Sequence, residues 1–199
     1  MTSMKIFGLT GGSGTGKTTV GEIFKEHGIY VVRADESARR VEAKGTQCYD
    51  ELVTMFGICI LRENGEIDRR KLAKIVFEDK KKLKTLNRIT HHYIKFDIMR
   101  ELGEVQNELA AIDGAVIIGS PVEKICEFIV TVEAPYDERV KRIVERDDRT
   151  VDEAKARIAA QPDDDFYREH ARFVIRNNGG YDDLRKNAEA VIKEIKATT

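Results

Sequence analysis

The chain has 199 residues, of which 41% are hydrophobic and 35% charged, with 34 Lys and Arg against 35 Asp and Glu. That length suits one domain, or one domain with an insertion, and burial of roughly 70% of the unfolded surface makes a disulfide or metal staple unnecessary. The apolar share excludes a disordered chain, and a net charge of −1 argues against a wholesale nucleic-acid or anionic-membrane binder.

Short β-type runs alternate with helical patterns, which predicts a parallel α/β sheet. Lys5–Thr10 reads as a first strand ending in glycines. Thr18–His27 reads as a helix with Val20, Ile23 and Phe24 on one face and Gly28 as its stop. Ile29–Val32 is a second strand, Leu109–Ile112 a third, Phe128–Val132 a fourth and Phe173–Ile175 a fifth. Between the second and third strands, Glu36–Gln106 is charged and helical, with Asp68 as N-cap for Arg69–Phe77. Arg139–Gln161 is a second helical excursion. There Val140, Ile143 and Val144 face one way, Arg139, Arg142 and Arg146 another, and the capping box Thr150-Val151-Asp152-Glu153 restarts the helix. Asp182–Lys196 closes the chain with Leu184, Ala188, Val191, Ile192 and Ile195 on one stripe. The expected division is a core of 1–35, 107–138 and 165–199, a helical acceptor-binding insertion at 36–106 and a lid at 139–164.

No leader or membrane-spanning run is expected from the opening residues. Cys48, Cys59 and Cys126 match no zinc spacing and no disulfide framework, which fits a reducing cytosol and predicts a cytoplasmic protein.

Gly11-Gly12-Ser13-Gly14-Thr15-Gly16-Lys17-Thr18 fits G-x-x-x-x-G-K-[ST], with a strand before it and an amphipathic helix after it. Glycines let the backbone wrap a polyphosphate with amides pointing at its oxygens, and the helix adds its positive dipole end. Gly12, Ser13, Gly14, Thr15, Gly16, Lys17, Thr18 and Thr19 are therefore the expected ATP-binding residues. Lys17 bridges the β- and γ-phosphates, and the Thr18 hydroxyl binds Mg²⁺. No Asn-Lys-x-Asp guanine signature is visible, and the short chain with helical excursions suits a small-molecule kinase.

Asp35 follows the second strand at its C-terminal edge, where open α/β sheets bind ligands. A carboxylate there can take the proton of an attacking hydroxyl; capping the following helix is the alternative. Asp113 ends the third strand, in the place that holds Mg²⁺ through water, or it serves a turn with Gly114. Arg142 and Arg146, one turn apart, can neutralise charge on a transferring phosphoryl group, or they form a solvated face with pairs such as Glu138–Arg142. Arg157 and Gln161 close the lid. The Asn177-Asn178-Gly179-Gly180 loop offers Asn177 and Gly179 to the adenine, or is a plain turn. His91-His92 has no partner at metal spacing and suits a substrate contact or a helix end.

In order and spacing, these residues resemble the dephospho-coenzyme A kinase family over nearly the whole chain. The resemblance rests on Ile6–Gly12 with the phosphate loop, Ala34-Asp35-Glu36-Ser37-Ala38-Arg39, Ile67-Asp68-Arg69 with Leu72 and Ile75-Val76-Phe77, and Leu86-Asn87 with Ile89 and His91. Arg142, Arg146-Asp147, Arg157–Gln161, Val174-Ile175 and Asn177-Asn178-Gly179 extend it. It implies ATP-dependent phosphorylation of the ribose 3′-hydroxyl of dephospho-coenzyme A, a small-molecule substrate, by a monomer or weak homo-oligomer that uses neither nucleic acid nor membrane. It also implies a P-loop kinase-type three-layer α/β/α fold with a five-stranded parallel sheet and the P-loop strand in the centre. Asp35 is then the catalytic base, Thr10 lies near the reacting phosphate, and Arg39, His91 and Asp113 join the acceptor side. The chain departs from the family pattern at Arg33, His92, Ala115 and Gly119. A related kinase for another nucleoside-like alcohol, or a nucleotide-binding regulatory protein, are the alternative readings.

Overall fold

The protein was analysed as a computed structural model that describes residues 4–198. In chain order its elements are β1 (Lys5–Thr10), α1 (Lys17–Glu26), β2 (Tyr30–Arg33), α2 (Ala34–Val41), α3 (Gln47–Phe56), α4 (Arg69–Phe77), α5 (Lys80–Gly103), β3 (Leu109–Asp113), β4 (Phe128–Glu133), α6 (Tyr136–Asp147), α7 (Val151–Ala159), α8 (Asp164–His170), β5 (Phe173–Arg176) and α9 (Tyr181–Ala197). Two compact units result: residues through Val32 together with those from Val105 onward, and Arg33–Glu104.

The strands form one sheet in the order β2-β3-β1-β4-β5. β1 pairs in parallel with β3 on one side and β4 on the other, and β4 pairs with β5. The P-loop strand is therefore central. A strand covered on both faces must be apolar nearly throughout, which is why Ile6-Phe7-Gly8-Leu9 carries no charge. Phe7 and Leu9 face α1 and α9, burying Val20, Ile23, Phe24, Leu184, Ala188, Val191, Ile192 and Ile195. The Ile117 and Ile129 side chains pack over Gly8.

Helix α1 has 10 residues, too few to persist alone in water. Burial of Val20, Ile23 and Phe24, each contributing about 1.5–3 kcal/mol, holds it in place. It stops where Gly28, at φ +80°, lets the Ile29 amide reach back 3.0 Å to the Phe24 carbonyl. The next strand begins at once, so the end of α1 is fixed by the same turn that launches β2.

After β4, α6 and α7 share a small apolar cluster of Val140, Ile143, Ala154 and Ile158. The Thr150–Glu153 capping box is present in both directions. Helix α8 falls inside the stretch the sequence pattern leaves unassigned. Its 7 residues are too few to display a period, and Asp163 starts it by accepting the Phe166 amide at 2.8 Å.

The unit Arg33–Glu104 has its own core of Cys48, Tyr49, Leu52, Ile60, Ile67, Leu72, Val76 and Ile89. Asp68 caps α4 by accepting the amides of Arg70 and Lys71. Arg40 ties α2 to α5 through the buried Asp97, 2.7 Å away, and through Glu101. Among the described residues no helix is long and apolar enough to cross a membrane.

Candidate active site

The loop between β1 and α1 folds as a tight concave turn. Gly14 and Gly16 take φ of +78° and +99°, a region that L side chains rarely occupy. A Cβ on Gly14 would also come within 2.7 Å of the Arg139 carbonyl oxygen. The sequence needs glycine there for both reasons. The Thr15 hydroxyl donates to the Gly12 carbonyl at 2.9 Å, while Lys17 Nζ donates to the carbonyls of Gly11 and Gly12 at 2.6 and 3.0 Å. Thr18 is exposed on the first turn of α1 and Thr19 is half-buried beside it.

Residues distant in sequence converge on this loop. Ser13 donates its amide to Gln161 Oε1 at 2.7 Å, and its hydroxyl accepts from Arg157 Nε at 3.2 Å. Its carbonyl accepts from Arg139 Nε at 2.9 Å. Arg142 reaches the Gly14 carbonyl at 3.3 Å and Asn177 Oδ1 at 3.4 Å, with Glu138 4.0 Å away. Asn177 is buried, and its side-chain amide donates to the Thr15 carbonyl at 2.8 Å. Gly179 lies exposed two residues on, its Cα close to the Asp183 carboxylate. Arg146 grips Asp147 with two bonds of 2.8 Å. Those bonds hold the Asp147 carboxyl below its ordinary range against the effect of burial, and the Arg157 and Arg149 charges add to them. Asp147 thus orients two arginines, since Arg157 also pairs with it at 2.8 Å.

Asp113 ends β3 half-buried, in register with Leu9. Thr10 is fully buried at the end of β1, next to Thr131 in the register of β4. Neither hydroxyl has a hydrogen-bond partner among the described residues. An unmade bond of this kind costs about 1–3 kcal/mol.

A glycine-rich turn, an invading lysine and a cluster of arginines fit a phosphate-handling site without naming an acceptor. The model of the dephospho-CoA kinase family matches residues 5–183. The chain belongs to the dephospho-CoA kinase family. It is 35% identical to a dephospho-CoA kinase of Corynebacterium glutamicum, over 94% of this chain and 96% of that one. Among solved structures it resembles TT1252 from Thermus thermophilus, with a TM-score of 0.84 at 30% identity, covering 96% of this chain and 97% of the other. It also resembles the dephospho-CoA kinase from Campylobacter jejuni, with a TM-score of 0.65 at 27% identity, covering 99% and 100%.

The other residues that the family resemblance singles out stand in the unit Arg33–Glu104. Asp35 and Arg39 are exposed and one turn apart on α2. Asp35 is not the N-cap: that position is Arg33, which contributes no capping bond and instead pairs with Glu36 at 3.2 Å. Hence the capping alternative for Asp35 does not hold. His91 is half-buried on α5, whereas His92 is exposed and stacks edge-on against Tyr93 and Phe96. Burial pushes the His91 pKa down. The unfolded chain therefore binds this proton more readily than the folded one. The stability contribution is complete above about pH 6.5 and is lost as pH falls through the depressed folded value. We expect the melting temperature to decline on acidification from about pH 7.5 to 5, with a shallower decline in His91→Gln; identical pH profiles would show that His91 contributes nothing.

Spacing assigns no role to Arg139, Asp147 or Asp164. Arg139 sits on the same stripe as Arg142 and Arg146, yet it is only 3% exposed and pairs with Asp164 at 2.9 Å. A periodic pattern marks a charged face as solvated. What the pattern lacks is the P-loop backbone, which covers one end of that face. The one available signal was a basic stripe directly following a P-loop-neighbouring strand.

Proposed function

We propose that the protein transfers the γ-phosphoryl group of ATP to the 3′-hydroxyl of dephospho-coenzyme A, giving coenzyme A and ADP. The observation that carries this reading is the glycine loop with Lys17 inside it, in a chain that belongs to this family. In this reading Gly12–Thr19 cradle the phosphates through amides and the α1 N-terminus. Lys17 leaves the Gly11 and Gly12 carbonyls for the β- and γ-phosphates, and Asn177 and Gly179 border the adenine. Asp35 accepts the acceptor hydroxyl's proton, with Arg39, His91 and Thr10 lining the acceptor side. Residues 36–106 hold the acceptor and 139–164 form the lid, from which Arg142 and Arg146 offset charge on the moving phosphoryl group.

The Thr18 hydroxyl and the Asp113 carboxylate are hard oxygen donors of the kind Mg²⁺ takes, leaving its other positions to phosphate and water. When bound, the ion supplies charge neutralisation along the triphosphate. A cytoplasmic setting suits the cysteines: all three are free, and burial pushes the thiols of Cys48 and Cys126 up to about 12, so both stay protonated.

A coupled ADP-release assay tests the proposal. Release that requires dephospho-coenzyme A is expected. Release only with another nucleoside-like alcohol, or ATP binding with no acceptor-dependent release, overturns it.

A further inference from the structure

The buried guanidinium of Arg139 has no part in the chemistry just described. Its Nε donates to the Ser13 carbonyl at 2.9 Å, and its other arm is fixed by Asp164 at 2.9 Å. Two more side chains hold the next two carbonyls of the loop: Arg142 the Gly14 oxygen and Asn177 the Thr15 oxygen. Every described peptide bond is trans, and in a trans peptide the C=O and the following N–H point in opposite directions. Pulling the carbonyls of Ser13, Gly14 and Thr15 toward the arginines and Asn177 therefore turns the amides of Gly14, Thr15 and Gly16 the other way. Among the described residues the Gly14 and Gly16 amides have no backbone acceptor, while the buried Thr15 amide closes the turn over Ser13–Gly14. Two donors, the Gly14 and Gly16 amides, are thus left open, and their orientation leans on the side chains that hold the carbonyls before them, because Gly14 and Gly16 are the residues least able to resist rotation.

We infer that Arg139 is a positioning residue for nucleotide binding. By anchoring the Ser13 carbonyl it aims the Gly14 amide into the phosphate cradle, as the leading member of a row with Arg142 and Asn177. A guanidinium suits this task because its planar fork joins a backbone carbonyl to a carboxylate without rotating. The inference rests on the nucleotide reading above.

The test is calorimetric titration of ATP into wild type, Arg139→Met and Arg139→Lys, together with steady-state kinetics. In Arg139→Met the apolar stem stays and the donors go. Its ATP dissociation constant and KM for ATP are expected to rise at least about tenfold, with KM for dephospho-coenzyme A unchanged within twofold. Arg139→Lys, which can still donate to the Ser13 carbonyl, should recover most of the loss. A merely structural role would lower kcat through the active fraction and leave both KM values alone, and that outcome overturns the assignment, as does a folded Arg139→Met that binds ATP like wild type. Should Arg139→Met fail to fold, Asp164→Ala decides: it releases one arm of the fork, so ATP affinity at least about threefold weaker supports the inference and unchanged affinity overturns it. If wild type itself takes up no ATP, the nucleotide reading falls first; if wild type binds and the variants bind equally well, only the role of Arg139 falls.

Discussion

Lys17→Ala is expected to abolish phosphoryl transfer, lowering kcat by at least about 10²–10³-fold, the scale for losing one preorganised charge at a reacting phosphate. The half-buried ammonium now satisfies two carbonyls of its own loop, Gly11 and Gly12. Its removal therefore has a second, smaller cost. Two hydrogen bonds at about 0.5–1.5 kcal/mol each correspond to a melting-temperature loss of several degrees, not to unfolding. The two consequences are separable. Turnover is read from acceptor-dependent ADP release, and folding from a thermal scan of the same sample. A folded Lys17→Ala protein with near-normal turnover would remove the lysine from the mechanism.

Asp35→Asn should cut kcat by roughly 10²–10⁴ while leaving ATP affinity within about twofold of wild type. Its position makes the test clean. Asp35 is exposed, lies inside the first turn of α2 and is not the cap residue. The most it gives the helix is a favourable dipole interaction of about 0.3–1 kcal/mol. A 10²–10⁴-fold rate loss corresponds to about 3–5.5 kcal/mol in the barrier, well beyond that. Loss of turnover with an unchanged melting curve is the expected result. Parallel loss of fold and turnover would assign Asp35 to the helix start, and full activity would return the search for a base to the other carboxylates.

Much of this molecule is legible from local chemistry. The P-loop glycines announce a turn, because other residues rarely adopt the φ of +78° and +99° seen at Gly14 and Gly16. Asp68 and the Thr150–Glu153 box mark helix starts, because their side chains can satisfy amides only two or three residues away. The apolar runs around Phe7, Ala111 and Val130 mark covered strands for the same local reason. Strand ends agree with the pattern to within a residue, since the ladder extends until the next turn stops it.

Beyond the Glu138–Arg142 pair, the partners of the arginines were not legible. Arg139, Arg142, Arg146 and Arg157 look alike in the chain: four long cations on helical stretches after the fourth strand. Folded, they part ways. Arg139 is buried against Ser13 and Asp164, Arg142 rests on Gly14 and Asn177, and Arg146 and Arg157 share Asp147. Asn177 likewise reads as an adenine contact or a turn residue, yet its side chain holds a carbonyl 162 residues away in sequence.

The amino-acid order alone determined the elements and the phosphate loop, because a backbone dihedral, a cap and a buried stripe are each satisfied within one turn or one strand. Which charge meets which carbonyl was decided only when β1, β4 and β5 came together side by side and brought the loop, α6, α7 and Asn177 within hydrogen-bond reach. Those contacts span the whole chain, and no short-range preference encodes them.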